Sequence, residues 1–150
     1  MTQGRTVQPG PGDLGCAVGD LRVRVPALAV ELRPLRQAVT EWAYRTPLRP
    51  EQVEAVRLAS DEAAANVVEH AYPGDRTGTL DLAATCRLDR GIVTVTVTDH
   101  GRWRPATVDP HSTRGRGLPL IRALTDTVAF SAGPAGTTVR MTWTLNQHSA

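Results

Sequence analysis

The run IVTVTVTD, at positions 92–99, alternates two sets of side chains, with Val93, Val95 and Val97 on one side and Thr94, Thr96 and Thr98 on the other. Successive side chains of a β-strand point to opposite faces of its sheet. The pattern therefore predicts a strand with one buried face and one solvated face, which is typical of antiparallel sheets. The rest of the chain has to supply the layer that covers the buried face.

Other segments carry comparable signals. Apolar residues spaced by three or four predict a helix that begins near Pro34 and a second that runs from Pro50 to about Ala71. A third helix is predicted within GRGLPLIRALTDT, which starts at Gly115. Alternation and turn residues predict the remaining strands, at 79–88 and 91–98 around the turn DRG, in LRVRV (21–25) as an exposed edge strand, and in VAFSA and TTVRMTWTL as a closing hairpin.

The elements follow one another as strand, helix, helix, two strands, loop, helix and two strands. This order predicts an α+β fold, a two-layer sandwich with helices packed on one face of a mainly antiparallel β-sheet. A chain of 150 residues is of single-domain size. We place the domain at 21–145, after a Gly- and Pro-rich arm (1–20) that is predicted to be disordered and before a short tail (146–150).

Composition argues against several classes of function. The formal charge is only +2, the basic residues are dispersed, and no apolar run is long enough to span a bilayer, so neither nucleic acid nor membrane is expected as a direct partner. The chain has no Lys and therefore no Walker A motif. Cys16 and Cys86 lack CxxC spacing and are predicted to be reduced cysteines of a cytoplasmic protein.

The segment SDEAAANVVEHAY (60–72) places several polar groups on a helix otherwise built of Ala and Val. Glu62 and Asn66 are four residues apart and project from the same side of that helix. A carboxylate there can accept a proton, and an amide oxygen one turn away can bind a hard cation such as Mg²⁺. The alternative is an ordinary solvated face with hydrogen bonding across one turn.

Three further motifs follow along the chain. Asp99 ends a predicted strand, where its carboxylate can accept a hydrogen bond from an exocyclic amine, and Gly101 lets a planar ring approach the backbone. The segment GRGL (115–118) opens a helix, where backbone N–H groups favour an anion. The segment GTT (136–138) begins the last strand. Each motif has a common structural alternative: an Asp-initiated turn, a flexible linker and a hairpin turn, respectively.

Taken together in this order, the four motifs resemble those of the GHKL ATP-binding family, which has the Bergerat fold. They correspond to its N box, its first and second glycine boxes and its closing Gly-Thr motif. DEAAANVVEHAY and GRGLPLIRAL are similar to the N box and the second glycine box of the anti-sigma-factor serine kinases of bacterial sporulation and stress regulation. The resemblance covers roughly residues 21 to 145.

The resemblance implies a role for each motif residue. Glu62 is expected to be the general base and Asn66 a Mg²⁺ ligand. Asp99 is expected to hold the adenine amino group of ATP, with Gly101 below the ring and Thr138 assisting through a hydrogen bond. The expected phosphate-lining residues are Gly115, Arg116, Gly117 and Leu118, and the loop from Arg102 to Arg114 is the expected ATP lid.

The same resemblance implies a biological role. The expected protein is a cytoplasmic, ATP-dependent serine/threonine kinase and anti-sigma factor. Its partners would be a sigma factor and a small anti-anti-sigma protein of the STAS type, which it phosphorylates, so that transcription is regulated by partner switching. A homodimer is also expected, formed through the LRVRV strand or the first helix.

The first glycine box departs from the family pattern. The family usually shows DxGxG, whereas this chain has DHGRW, with Trp103 in place of the second Gly. A bulky ring there favours weaker ATP binding or a reshaped lid, although Trp103 can also stack on the base or on a partner, or pack on Pro105. It supports a second hypothesis, a non-catalytic module that sequesters a sigma factor or other regulator.

The remaining polar residues near these motifs are given structural roles or none. His70 and Tyr72 match the N box of the kinases, and His70 is predicted to cap and pack the helix end. Glu69 is predicted to be solvated. His100 and His111 fall in the expected lid region with a spacing that suits no metal site, and no role is predicted for them.

Overall fold

The computed structural model describes residues 6–8, 18–74, 77–101 and 117–145. Within these residues the strands are β1 (Thr6–Gln8), β2 (Asp20–Pro26), β3 (Thr79–Arg87), β4 (Ile92–Asp99), β5 (Thr127–Gly133) and β6 (Gly136–Thr144). The helices are α1 (Leu32–Tyr44), α2 (Pro50–Asn66) and α3 (Gly117–Leu124). A 3-10 turn (Ala29–Glu31) precedes α1, and α2 continues as a π-helical turn (Val67–Ala71).

The strands form one antiparallel sheet in the order β1-β2-β3-β4-β6-β5. The alternation along β4 is as predicted, because its valines are at most 1% exposed while its threonines are half-buried on the other face. The buried side of the neighbouring strands is also apolar, with Leu80, Leu82 and Ala84 in β3 and Val139, Met141 and Trp143 in β6.

The helices cover the buried face of this sheet, as the α+β prediction requires. Helix α2 contacts β4, α1 and α3, so it lies at the centre of the helical layer. Its apolar stripe, Val53, Val56, Ala59 and Ala63, is at most 2% exposed. Because helices and sheet share this apolar interior, the fold positions α2 directly over the central strand β4.

The proline positions explain where the two long helices begin. Pro34 is the third residue of α1 and Pro50 the first of α2, so neither proline interrupts the hydrogen bonds of a helix interior. Gln52 secures the start of α2. Its side-chain Oε1 accepts a hydrogen bond from the Arg49 N–H at 3.0 Å, and its Nε2 donates to the Thr144 carbonyl at the end of β6 at 2.8 Å.

The N-terminal arm differs from its prediction. Thr6–Gln8 form β1 and pair with Asp20–Arg22, so at least this part of the arm is ordered. The segment LRVRV is consequently the second strand of the described sheet, although Val23–Pro26 have no partner in β1. The Gly and Pro content of the arm concealed this short strand, because backbone pairing with an existing edge needs no apolar periodicity. Residues 1–5, 9–17 and 146–150 lie outside the described residues.

Two smaller features also differ from prediction. Cys86, predicted to be reduced, is disulfide-bonded, and Cys16 lies outside the described residues. CxxC spacing reports only cysteines that are close in sequence, so its absence does not exclude a disulfide between distant positions. The second helix ends its α-helical geometry at Asn66 and reaches Ala71 as a π-turn. None of the helices in the described ranges is both long and apolar enough for a bilayer span.

Candidate functional site

The polar side chains near the end of α2 differ in whether the protein already engages them. Asp61 accepts a hydrogen bond from Arg36 Nε at 3.1 Å, and Glu69 lies 3.4 Å from His70 Nε2. Within the described part of the chain, no hydrogen bond or ion pair engages the side chains of Glu62 and Asn66. These two half-buried groups are therefore available to meet a ligand.

Glu62 and Asn66 have the relative placement that the sequence predicts. Both lie on α2, four residues apart, and Asn66 is its last α-helical residue. The π-helical turn begins immediately afterwards, and such turns often occur at functional sites because they widen the helix locally. The pair offers one carboxylate and one amide oxygen to the same region of space.

Asp99 is the last residue of β4 and is 1% exposed. It continues the alternation of the valines before it, so its side chain lies on the helix-covered face of the sheet. The Gly101 N–H donates to Asp99 Oδ1 at 3.0 Å, which holds the turn after the strand. A buried acid at this point is suited to recognise a polar edge of a ligand inserted between sheet and helices.

Two glycines let the elements around Asp99 approach each other. A Cβ added to Gly101 would lie 1.9 Å from the Ala71 carbonyl oxygen, so only glycine permits the contact between the β4 turn and the end of the α2 run. Gly136 has φ +137°, and its added Cβ would lie 2.0 Å from the Asp99 carbonyl oxygen. The structure thereby brings the N box, the first glycine box and the Gly-Thr motif to one end of the sheet.

The Gly-Thr motif requires a correction. Thr138 is paired with Thr98 and lies on the open face of the sheet, away from Asp99. Thr137 is paired with Asp99, is 4% exposed and lies on the helix-covered face. Thr137 is therefore the hydroxyl beside the acid. In a strand, a shift of one residue moves a side chain to the opposite face, and the motif GTT alone does not fix which Thr points inward.

The second glycine box is described only in part. Gly117 and Leu118 are the first residues of α3, and α3 contacts both α2 and β5. Gly115 and Arg116 lie outside the described residues, as does the expected lid from Arg102 to Arg114 with Trp103 and His111. The start of α3 is thus the described part of the expected phosphate site.

His100, for which no role is predicted, takes part in a charged cluster on the open face of the sheet. Its Nε2 lies 3.2 Å from Asp81 Oδ2, and Arg24 Nε donates to Asp81 Oδ1 at 2.7 Å. Partial burial raises the pKa of Asp81, but the hydrogen bonds from Arg24 and His100 outweigh it and leave the pKa below its usual value. Sequence reasoning missed this cluster because its members come from three different segments of the sheet.

Comparisons with known proteins match most of the chain. A family model described as a histidine kinase-like ATPase domain matches residues 25–143. The serine-protein kinase RsbW of Bacillus subtilis is 30% identical over 138 residues, covering 84% of this chain and 86% of that protein. The serine-protein kinase RsbW of Bacillus velezensis is 28% identical over 145 residues, covering 89% of this chain and 90% of that protein.

Solved structures give the same result for the fold. The crystal structure of the RsbU and RsbW domains of a Mycobacterium tuberculosis protein is similar with a TM-score of 0.70 at 25% identity. The match covers 87% of this chain and 33% of that chain, so this protein spans about a third of its length. A blue-light activated histidine kinase of Erythrobacter litoralis shares the fold at 21% identity, with a TM-score of 0.58, covering 81% of this chain and 42% of that one.

Proposed function

The chain belongs to the family of histidine kinase-like ATPase domains, and from that membership we propose that it is an ATP-binding serine/threonine protein kinase and anti-sigma factor. Relatives that match most of this chain carry the name serine-protein kinase. The observation that best supports the proposal is the contrast along α2, where Glu62 and Asn66, unlike the nearby acids Asp61 and Glu69, have no protein partner in the described residues.

In this proposal the adenine of ATP lies against the end of β4. Asp99 accepts a hydrogen bond from the adenine amino group, Gly101 leaves room for the ring, and the Thr137 hydroxyl assists in place of Thr138. Asp99 and Thr137 are both almost fully buried and face each other across paired strands, which supports a small, dry recognition site. The phosphates extend toward the beginning of α3, where Gly117 and Leu118 present backbone N–H groups.

The residues present also fit a bound Mg²⁺. Mg²⁺ usually keeps one or two protein ligands and completes its coordination with phosphates and water. Asn66 offers an amide oxygen with no protein partner, and no group of three or more His, Cys, Asp or Glu side chains forms a separate metal site in the described residues. When bound, Mg²⁺ supplies neutralisation of phosphate charge.

The proposed reaction is phosphoryl transfer to a serine or threonine of a partner protein. The bond between the γ-phosphorus and the oxygen that joins it to the β-phosphate breaks, and a new bond forms to the hydroxyl oxygen of the partner. ADP leaves, and Glu62 accepts the hydroxyl proton. Glu62 is half-buried on the same side of α2 as Asn66, which supports this role.

The proposed partners are a small anti-anti-sigma protein of the STAS type as the phosphoryl acceptor and a sigma factor as the protein that is sequestered. The protein would then regulate transcription by partner switching in the cytoplasm, without binding nucleic acid or membrane itself.

We also propose a homodimer that forms at the edge of β2, where Val23–Pro26 have no partner in β1. Sedimentation of wild-type protein and of an Arg24→Pro variant tests this contact, since the Arg24 N–H faces away from β3 and proline removes that edge donor.

A transfer assay tests the proposed activity. The purified chain is incubated with γ-labelled ATP, Mg²⁺ and candidate anti-anti-sigma proteins, and label on the partner is measured for wild type and Glu62→Gln. We expect Glu62→Gln to lower the rate by about 10²–10⁴-fold, the usual contribution of a positioned base. A wild-type rate in Glu62→Gln would remove Glu62 as the base. ATP binding without any transfer would favour the non-catalytic module that Trp103 suggests.

A further inference from the structure

Tyr72 connects three elements that meet at the proposed base-binding turn. It follows the π-helical turn at the end of α2, and its hydroxyl donates to the Thr79 carbonyl at the start of β3 at 2.6 Å. The same hydroxyl accepts a hydrogen bond from the His100 N–H, just after β4, at 3.0 Å. The sequence comparison with the N box gave Tyr72 no function, and none of the steps proposed above uses it.

The ring of Tyr72 is held as well as its hydroxyl. A Cβ added to Gly78 would lie 1.9 Å from Tyr72 Cε1, so the ring rests directly on the backbone of Gly78. With its ring on Gly78 and its hydroxyl on Thr79, Tyr72 has little freedom to move away from His100. The donor and acceptor roles of the hydroxyl are both satisfied by backbone groups.

His100 is held a second time through its side chain. Its Nε2 lies 3.2 Å from Asp81 Oδ2, and Asp81 is itself bonded by Arg24. His100 stands between Asp99 and Gly101, the two residues of the first glycine box that are proposed to meet adenine. Fixing the backbone and the ring of His100 therefore fixes the direction in which its two neighbours face.

We propose that Tyr72 is a positioning residue for nucleotide recognition, which acts by holding the His100 backbone so that Asp99 keeps its orientation toward the base. Asp81 supports the same turn through the His100 ring. This inference rests on the proposed adenine site, and it adds residues on the far side of the turn that do not touch the nucleotide. The arrangement explains why an exposed hydroxyl at the end of α2 is bonded to two other elements.

The test compares nucleotide affinity and base selectivity in Tyr72→Phe and in a matched control. Thr46→Val is the control, because the Thr46 hydroxyl likewise donates to a carbonyl, that of Ala43 at 2.6 Å, and accepts from an N–H, that of Leu48 at 3.3 Å, in the loop after α1. Calorimetry with ADP and with GDP gives the dissociation constants, and thermal unfolding gives the loss of stability in each variant.

We expect Tyr72→Phe to weaken ADP binding about fivefold, as the loss of one hydrogen bond predicts. GDP binding should change less, because the reoriented Asp99 recognises only the adenine amino group, so the preference for ADP over GDP falls. Thr46→Val should leave both dissociation constants within about twofold while losing comparable stability. Asp81→Ala should weaken ADP binding by about twofold, since its contact with His100 is largely exposed.

The outcomes separate this inference from the proposed function. Wild-type affinity and selectivity in Tyr72→Phe, with ADP binding intact in the wild type, would overturn the positioning role alone. Equal losses of ADP affinity in Tyr72→Phe and Thr46→Val would show that lower stability alone weakens binding. That result would also overturn the positioning role. If Tyr72→Phe does not fold, unchanged selectivity in Asp81→Ala would decide against the inference. A folded wild type that binds neither nucleotide would overturn the proposed function, and the inference with it.

Discussion

At the scale of single residues, the polar side chains near the end of α2 differ in whether a neighbouring residue engages them. Asp61 is held by Arg36 and Glu69 lies near His70, whereas Glu62 and Asn66 are engaged by nothing in the described residues. All of these residues except Arg36 lie within about three turns of one helical run. Burial alone does not distinguish Asp61 from Glu62 and Asn66, since all three are half-buried, whereas the contacts do.

Asn66→Ala is the first prediction at this scale. The variant should lose the Mg²⁺-dependent part of its affinity for ATP, because the amide oxygen proposed to meet the cation is removed, while affinity without Mg²⁺ stays near that of the wild type. Titrations with and without Mg²⁺ measure this, and circular dichroism checks the fold. Glu69→Ala, on the exposed side of the same helical run, is the control. Full Mg²⁺-dependent affinity in Asn66→Ala would remove Asn66 from the site.

Gly101→Ala tests the contact between the turn after β4 and the end of the α2 run. The new Cβ would lie 1.9 Å from the Ala71 carbonyl oxygen, so backbone has to shift. We expect a loss of about 1–3 kcal/mol in the free energy of unfolding, the usual cost of overpacking. Gly133→Ala is the matched control, since its Cβ would meet nothing within 4 Å. Equal stability of the two variants, measured by urea unfolding, would contradict the contact.

The candidate site residues could be predicted only where a pattern within a single helix or strand points to them. Glu62 and Asn66 follow from helical spacing, and Asp99 follows from the end of an alternating strand. Thr137 could not be separated from Thr138, because a one-residue shift reverses the face and the sequence of a hairpin turn permits both. Tyr72 and His100 were also missed as a pair, since they are 28 residues apart and join through a backbone N–H.

At the scale of elements, α2 is fixed at both ends to the sheet that it covers. Its first turn is joined to β6 by Gln52, and the π-helical turn beyond its last residue contacts the turn after β4 through Ala71 and Gly101. A helix held in this way keeps Glu62 and Asn66 at a constant position relative to Asp99. The rigidity of the proposed site therefore depends on both attachments.

Gln52→Ala tests the attachment at the beginning of α2. The variant leaves the Arg49 N–H and the Thr144 carbonyl without their side-chain partner, so we expect a loss of roughly 1–3 kcal/mol in the free energy of unfolding. Gln37→Ala, at an exposed position of α1, should change stability by less than about 0.5 kcal/mol. Chemical denaturation of both variants measures the difference, and equal values would show that Gln52 does not secure α2.

The contact of Asp81 in β3 with Arg24 in β2 and with His100 after β4 should make the free energy of unfolding depend on pH in the acid range. The pKa of Asp81 is lower in the folded protein than its ordinary value of 3.8, so the carboxylate stabilises the fold above that value, and the contribution is lost as the pH falls through the folded pKa. Between about pH 5 and pH 3, wild-type protein should therefore lose more stability than Asp81→Asn. Asp89→Asn, in the exposed β3–β4 turn, is the control. Equal losses of stability in wild type and Asp81→Asn over this pH range would show that the Asp81 contact does not stabilise the fold.

The elements themselves were largely predictable. Strict alternation in β4 and regular apolar spacing in α1 and α2 gave their type and approximate limits, because one buried face imposes a period on the sequence. The short strand β1 and the π-helical turn after Asn66 were not predictable. Pairing of β1 with β2 is a backbone interaction within a Gly- and Pro-rich segment, and no local pattern in the sequence marks the change of helical geometry after Asn66.

At the scale of the whole molecule, the antiparallel sheet has two different faces. The helical layer covers one face, and the proposed site lies at the end of the sheet where α2, β4, β6 and α3 come together. The open face carries threonines and the Arg24, Asp81 and His100 cluster. The turn after β4 contributes to both faces of the sheet, since Asp99 points inward and the ring of His100 outward. Contacts on the open face can therefore influence the proposed nucleotide site.

Calorimetric titration of the purified chain with ATP and Mg²⁺ tests the central claim most directly, with Asp99→Asn as the comparison. The carboxamide that this substitution introduces can still accept the Gly101 N–H bond through its oxygen, so the turn is preserved while the negative charge is lost. We expect one nucleotide to bind per wild-type chain and the affinity to fall at least about tenfold in Asp99→Asn, as expected for a charged hydrogen bond. A well-folded wild type that releases no heat, or equal affinity in both proteins, would contradict the account.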